Sequence, residues 1–180
     1  MLLRITQFGE PMLRTKAIEV AEVNDDIRKL ADDMLETMYA ANGVGLAAEQ
    51  VGRIEAICVI DIPRDAEKED CREFNAGVKM PLVLVNPKIT AREGSQRNNE
   101  GCLSFPDIGA QITRANQVTV EYVDLNGEKQ SVTAKGLLAR AIQHETDHLQ
   151  GVLLVDKMSS LQKMSVAGQL KRLQRQSALS

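Results

Sequence analysis

His144-Glu145-Thr146-Asp147-His148 is the segment whose residue types and spacing point most directly to chemistry. Histidines four apart on a helix lie one above the other on one face, where two imidazoles can share a metal ion. Glu145 would then project beside that ion, and a carboxylate there can take the proton of a water as it attacks a carbonyl near neutral pH. The chain has 2 histidines, and both fall in this motif. A catalytic divalent site usually has three protein ligands and one open position, so a third donor is required. Asp147 is one candidate, but its helix position points away from the histidine face and suits a supporting or surface role. Among the thiols, Cys102 follows Gly101 in a short apolar turn where backbone can approach a metal closely, and it is preferred. Cys58 lies in the apolar run Ala56 to Ile60 and reads as a small buried hydrophobe, whereas Cys71 sits among charges and reads as a surface thiol. A soft thiolate with two imidazoles suits zinc or ferrous iron, and the sequence does not choose between them. No third histidine follows His148 and no glutamate ligand is evident in a later helix, which sets this donor set apart from common metalloprotease arrangements.

The elements that must carry these residues can be read from periodicity. Gly136 to Leu149 contains no proline, places Leu137, Leu138, Ala141 and both histidines at helical spacing, and meets a stop at Gly151. It is expected to be a buried helix. Ile27, Leu30, Ala31, Met34, Leu35 and Met38 mark an amphipathic helix over Asn24 to Ala40, with Asn24 as its cap. Ala56 to Ile62 and Leu82 to Val85 read as strands ended by Pro63 and by Asn86-Pro87, with Arg64 to Met80 between them an exposed loop. Glu93 to Asn99 is a polar stretch leading to Cys102, and Gln117 to Val123 pairs through Asn126-Gly127 with Lys129 to Thr133. Ser159 to Gln176 is a more exposed terminal helix. These elements imply an α+β fold: short antiparallel or mixed β-sheets packed around a central HExxH helix, with an N-terminal and a C-terminal helix. At 180 residues and 43% apolar composition, a single domain over 1–180 is expected.

Composition excludes other classes. With 22 basic and 25 acidic residues the formal charge is -3, so no global positive field gathers nucleic acid or anionic membrane. Arg4 interrupts the apolar start, no stretch approaches membrane-spanning length, and 3 cysteines do not make a disulfide framework. A cytoplasmic protein with reduced thiols is expected.

Three segments together resemble the peptide deformylase family: Gly43-Val44-Gly45-Leu46-Ala47-Ala48-Glu49-Gln50, Glu100-Gly101-Cys102-Leu103-Ser104, and Gln143-His144-Glu145-Thr146-Asp147-His148. Gly9-Glu10-Pro11-Met12-Leu13-Arg14 is similar to the family's usual start, and the likeness spans nearly the whole chain. The resemblance implies a hydrolase that releases formate from the N-terminal formyl-methionine of new polypeptides during protein biosynthesis. It implies Cys102, His144 and His148 as metal ligands, usually to ferrous iron, with zinc, nickel or cobalt able to replace it. Glu145 becomes the acid-base residue, while the Gln50 amide and the Leu103 N-H face the oxyanion. Gly43, Val44, Gly45 and Gly101 would meet the peptide backbone, and Leu137 and Ala141 the methionine side chain. Glu100 and Arg114 would form an ion pair bracing the cysteine loop. The likeness further implies a monomer that meets nascent chains transiently near the ribosome exit tunnel, a contact Lys163, Lys171, Arg172 and Arg175 can support. Glu49 and Arg140 depart from residues common in the family, and Glu49 is expected to point outward. The competing readings are a metallopeptidase that cuts internal amides regardless of formylation and a regulatory zinc module without turnover.

Overall fold

In the computed structural model, which describes residues 1–179, the chain forms two antiparallel sheets, four helices and four short 3-10 turns. Helix α1 runs over Asp25–Ala40, and the Asn24 side chain caps it by accepting from the Ile27 N–H at 3.0 Å. That is the start its sequence predicts. β1 (Gly45–Ala47) leads into a 3-10 turn over Ala48–Val51, and β2 (Ile57–Ile60) pairs antiparallel with it.

The stretch from Arg64 to Met80 is not a plain loop. It holds a 3-10 turn and α2 (Glu69–Phe74), a helix too short for periodicity to declare, and Cys71 is buried on its inner face instead of lying at the surface. β3 (Leu82–Glu93) also runs past the predicted stop at Asn86-Pro87. A bulge between Val85 and Lys88 absorbs the proline, with Asn86 at φ 52 and its side chain bonded to Val20 on both backbone sides. β4 (Gln96–Cys102) and β5 (Phe105–Arg114) make a separate hairpin from the predicted polar stretch, and β6 (Gln117–Val123) and β7 (Lys129–Lys135) complete a sheet ordered β1-β2-β3-β6-β7. α3 (Gly136–Leu149) follows β7, and α4 (Ser160–Leu179) closes the described chain.

Three apolar clusters fix where these elements sit. One face of the five-stranded sheet packs on α3 through Ala47, Cys58, Leu84, Val120, Leu138 and Ile142. The other face packs on α1 through Leu30, Met34, Met38, Ile57 and Val59. The third cluster joins the β5 side of the hairpin to the N-terminal segment and α4 through Phe8, Leu13, Phe105, Ile112 and Leu173. α3 therefore lies behind β1 and beside the hairpin end that carries Cys102. Gly151 ends this helix as the sequence indicates: its φ is 72, and a Cβ there would come within 2.7 Å of the Arg14 carbonyl oxygen.

Candidate metal centre

Helical spacing brings the Nε2 atoms of His144 and His148 to 3.2 Å from each other. Cys102 arrives from the other sheet, at the β4–β5 turn where a register shift after Glu100 re-aims the chain, and its Sγ lies 3.4 Å from His148 Nε2. The three donor atoms all fall within 4.8 Å of one another. Burial opposes a charge on His144, but bonds to Cys102 and Glu100 raise its pKa well above the usual histidine range, whereas burial and the His144 charge push His148 well below it. One cysteine sulfur and two imidazoles converging on one point are the donor set of a soft divalent ion, whose binding takes the proton off His144.

The outer nitrogen of His144 is held. Its Nδ1 lies 3.1 Å from Glu100 Oε1, and Glu100 takes Arg114 Nε at 2.9 Å and Arg114 Nη2 at 3.0 Å. Arg114 Nη1 also reaches Asp147 Oδ2 at 2.6 Å. Burial alone would raise the Glu100 pKa, but His144 and Arg114 bring it down to about 2. The Glu100–Arg114 pair is thus buried, at 9% and 5% side-chain exposure, and it orients a candidate ligand as well as bracing the loop. Asp147, adjacent to the second histidine, joins the same network. His148 Nδ1 is buried without a protein partner, so its orientation rests on packing.

Glu145 is 4% exposed, and burial lifts its carboxyl to about 7 against the opposing charges of His144 and Arg114. Gln50 is 1% exposed, and its amide has a fixed orientation. Oε1 accepts from the Ala47 N–H at 3.0 Å, and Nε2 points to Ser104 Oγ at 3.1 Å and to Cys102 Sγ at 3.4 Å. Glu145, Gln50, Cys102, Leu103 and His144 line a single cavity of about 620 Å³. Gly43, Val44, Gly45, Gly101, Leu137 and Ala141 line it too, so every predicted site residue except the deeper His148 reaches one space. Sequence reasoning missed Pro106 to Gly109 at the start of β5, which also line the cavity. Arg140 lines the cavity as well, its Nε buried without a partner.

Glu49 corrects an expectation. It is 0% exposed, with neighbours Ala48 and Gln50 also buried, because the tight turn packs against α3 and against the 3-10 turn Pro11–Arg14 and leaves none of these side chains a path to water. Both its carboxyl oxygens are without hydrogen-bond partners, and burial raises its pKa to about 8, with Glu145 adding to the shift.

The two glycines before this turn differ in how closely they are approached. A Cβ on Gly45 would lie 2.5 Å from Glu145 Oε1, whereas one on Gly43 would meet the far end of the Leu103 side chain at 2.7 Å. A leucine tip can rotate away; the buried Glu145 carboxylate cannot move without cost. Gly45→Ala is therefore expected to lower kcat about tenfold by displacing Glu145, while Gly43→Ala changes it about twofold or less. Equal losses in the two variants, measured as turnover at saturating substrate, would contradict that distinction.

Residues 2–164 match the family model described as polypeptide deformylase. The chain is 46% identical over 177 residues to a peptide deformylase of Nitrosococcus oceani, covering 98% of this chain and 99% of that one. It is 44% identical over 180 residues to a peptide deformylase of Xylella fastidiosa, covering 98% and 99%. Among solved structures, peptide deformylase from Plasmodium falciparum superposes with a TM-score of 0.86 at 32% identity, covering 98% of each chain. That from Legionella pneumophila gives 0.83 at 36% identity, covering 100% and 99%.

Proposed function

The chain belongs to the polypeptide deformylase family, and on that premise we propose a residue-by-residue account of how it removes the formyl group from the N-terminal formyl-methionine of new polypeptides. It is a metal-dependent hydrolase acting on a linear amide. The observation that carries the assignment of roles is the convergence of Cys102, His144 and His148 beside the buried Glu145, at the wall of one cavity. Cys102, His144 and His148 hold a divalent ion, ferrous iron in the native protein, with zinc, nickel or cobalt as substitutes. When bound, such an ion lowers the pKa of a water and polarises the formyl carbonyl.

The residues then divide the work. Backbone at Gly43, Val44, Gly45 and Gly101 holds the substrate in an extended conformation, and Leu137 and Ala141 receive the methionine side chain. Glu145 accepts the proton of the attacking water. Gln50 Nε2 and the Leu103 N–H face the oxygen that becomes negative, and donors held in place before the reaction act where the charge develops. Glu145 then returns the proton to the amine nitrogen, the C–N bond breaks, and formate leaves with a free N-terminal methionine as the second product. A narrow space beside the ion would leave room for a formyl hydrogen and exclude an acetyl methyl.

We further propose that the protein works as a cytoplasmic monomer on nascent chains near the ribosome exit tunnel, with the basic residues of α4 as the contact. Formate release from formyl-Met-Ala-Ser by anaerobically purified protein, with metal content determined on the same sample, tests the assignment. Rapid release in step with iron content is expected. No release from a folded, fully metallated sample would move the weight to a non-catalytic role, and cleavage of unformylated internal amides would favour a peptidase.

A further inference from the structure

We propose that the N-terminal strap Thr6 to Phe8 holds the two oxyanion-facing loops in register, and that Gln7 is a positioning residue for the reaction. The inference rests on the roles assigned above to Gln50 and Leu103. Those two residues belong to different parts of the fold: Gln50 follows β1 in the five-stranded sheet, and Leu103 lies in the turn of the separate β4–β5 hairpin. Among the described residues, no strand pairing joins the two sheets.

The strap crosses between them and bonds to both. The Thr6 N–H donates to the Gln50 carbonyl at 2.7 Å, and the Phe8 N–H donates to the Ser104 carbonyl at 3.0 Å. Between these, Gln7 Nε2 donates to the Leu103 carbonyl at 3.3 Å and to the Ile5 carbonyl at 3.3 Å. With carbonyls as both partners, the nitrogen end of this amide must face the hairpin, and Oε1 is left buried without a partner. Ser104 closes the circuit, since its hydroxyl oxygen accepts from Gln50 Nε2.

The strap is itself anchored. The Gln7 N–H donates to Glu10 Oε2 at 2.6 Å, the Phe8 ring stacks on Phe105 at 4.8 Å, and Ser177 Oγ of α4 donates to the Phe8 carbonyl at 2.8 Å. Thr6 and Phe8 reach the loops through backbone that every residue has, so Gln7 is where a side-chain change can loosen the register. Tethering Leu103 on its carbonyl side fixes the peptide that precedes it, whose N–H faces the developing oxyanion. Donors of this kind act on the transition state more than on the bound substrate, so a slack tether should appear in kcat and not in KM.

Gln7→Met keeps the length and bulk of the side chain and removes the donor, and Gln50→Leu serves beside it to test the premise. Formate release should show kcat about tenfold lower for Gln7→Met, with KM within about twofold, and a loss of about a hundredfold or more for Gln50→Leu. Metal content and unfolding midpoint of Gln7→Met should match the parent. Unchanged kcat in Gln50→Leu would remove the premise and the strap proposal with it. A collapsed Gln50→Leu beside an unaffected Gln7→Met would overturn the strap proposal alone. A Gln7→Met loss that tracks a lowered midpoint or a raised KM would make Gln7 a structural residue and overturn it equally.

Discussion

Glu145→Gln is expected to lower kcat by about 10² to 10⁴-fold while leaving the metal in place, the range typical of losing a positioned proton carrier. Glu145 is not among the three converging donors, so the amide has no ligand bond to break. Its shape also suits the tight space against Gly45. What the amide cannot do is accept a proton, and both halves of the proposed reaction pass one through this atom pair. Burial holds the carboxyl near 7, close to neutral, where a group can both take and return a proton with little penalty. Formate release and elemental metal content measured on one preparation decide the matter. Turnover near the parent level would mean that another base serves, and loss of metal together with activity would mean that Glu145 supports the ligands instead of the proton.

The parts of this site that lie within one element were legible in the sequence. Histidine spacing on α3 and the end of that helix at Gly151 follow from helix geometry and from the conformation that glycine permits. The convergence of Cys102 on those histidines is a tertiary fact; the residues alone give only a preference among thiols, and the family resemblance implies the ligand. Where tertiary packing overrode local pattern, the reading failed for identifiable reasons. Cys71 lies among charges, but a six-residue helix turns it inward toward Gly136. β4 reads as polar because one face of its hairpin meets solvent. Asn86-Pro87 signals a strand end, but a bulge accommodates it. The strap at Gln7 left no periodic signature at all, since its bonds run to residues distant in the chain.

Glu49 gives the clearest case, because its burial converts into a measurable dependence of stability on pH. A carboxyl with an ordinary pKa of 4.5 in the unfolded chain and about 8 in the folded one binds its proton more tightly when folded. The folded state carries no penalty from this group below pH 4.5. As pH rises from there toward 8 the unfolded chain sheds the proton first, and stability falls by about 1.4 kcal/mol per unit. The group therefore costs about 3 kcal/mol at pH 7. Glu49→Gln removes the titration and keeps a neutral side chain of the same size, so the variant should match the parent near pH 4.5 and exceed it increasingly up to pH 8. Glu145 titrates in both proteins and largely cancels in the difference. Urea unfolding of metal-loaded parent and variant at pH 5, 6.5 and 8 reads the effect directly. A constant difference across the three would mean that Glu49 stays ionised, with water reaching its carboxylate. A difference that widens with pH would show that the chain keeps Glu49 as a neutral acid near Glu145 at a continuing cost in stability.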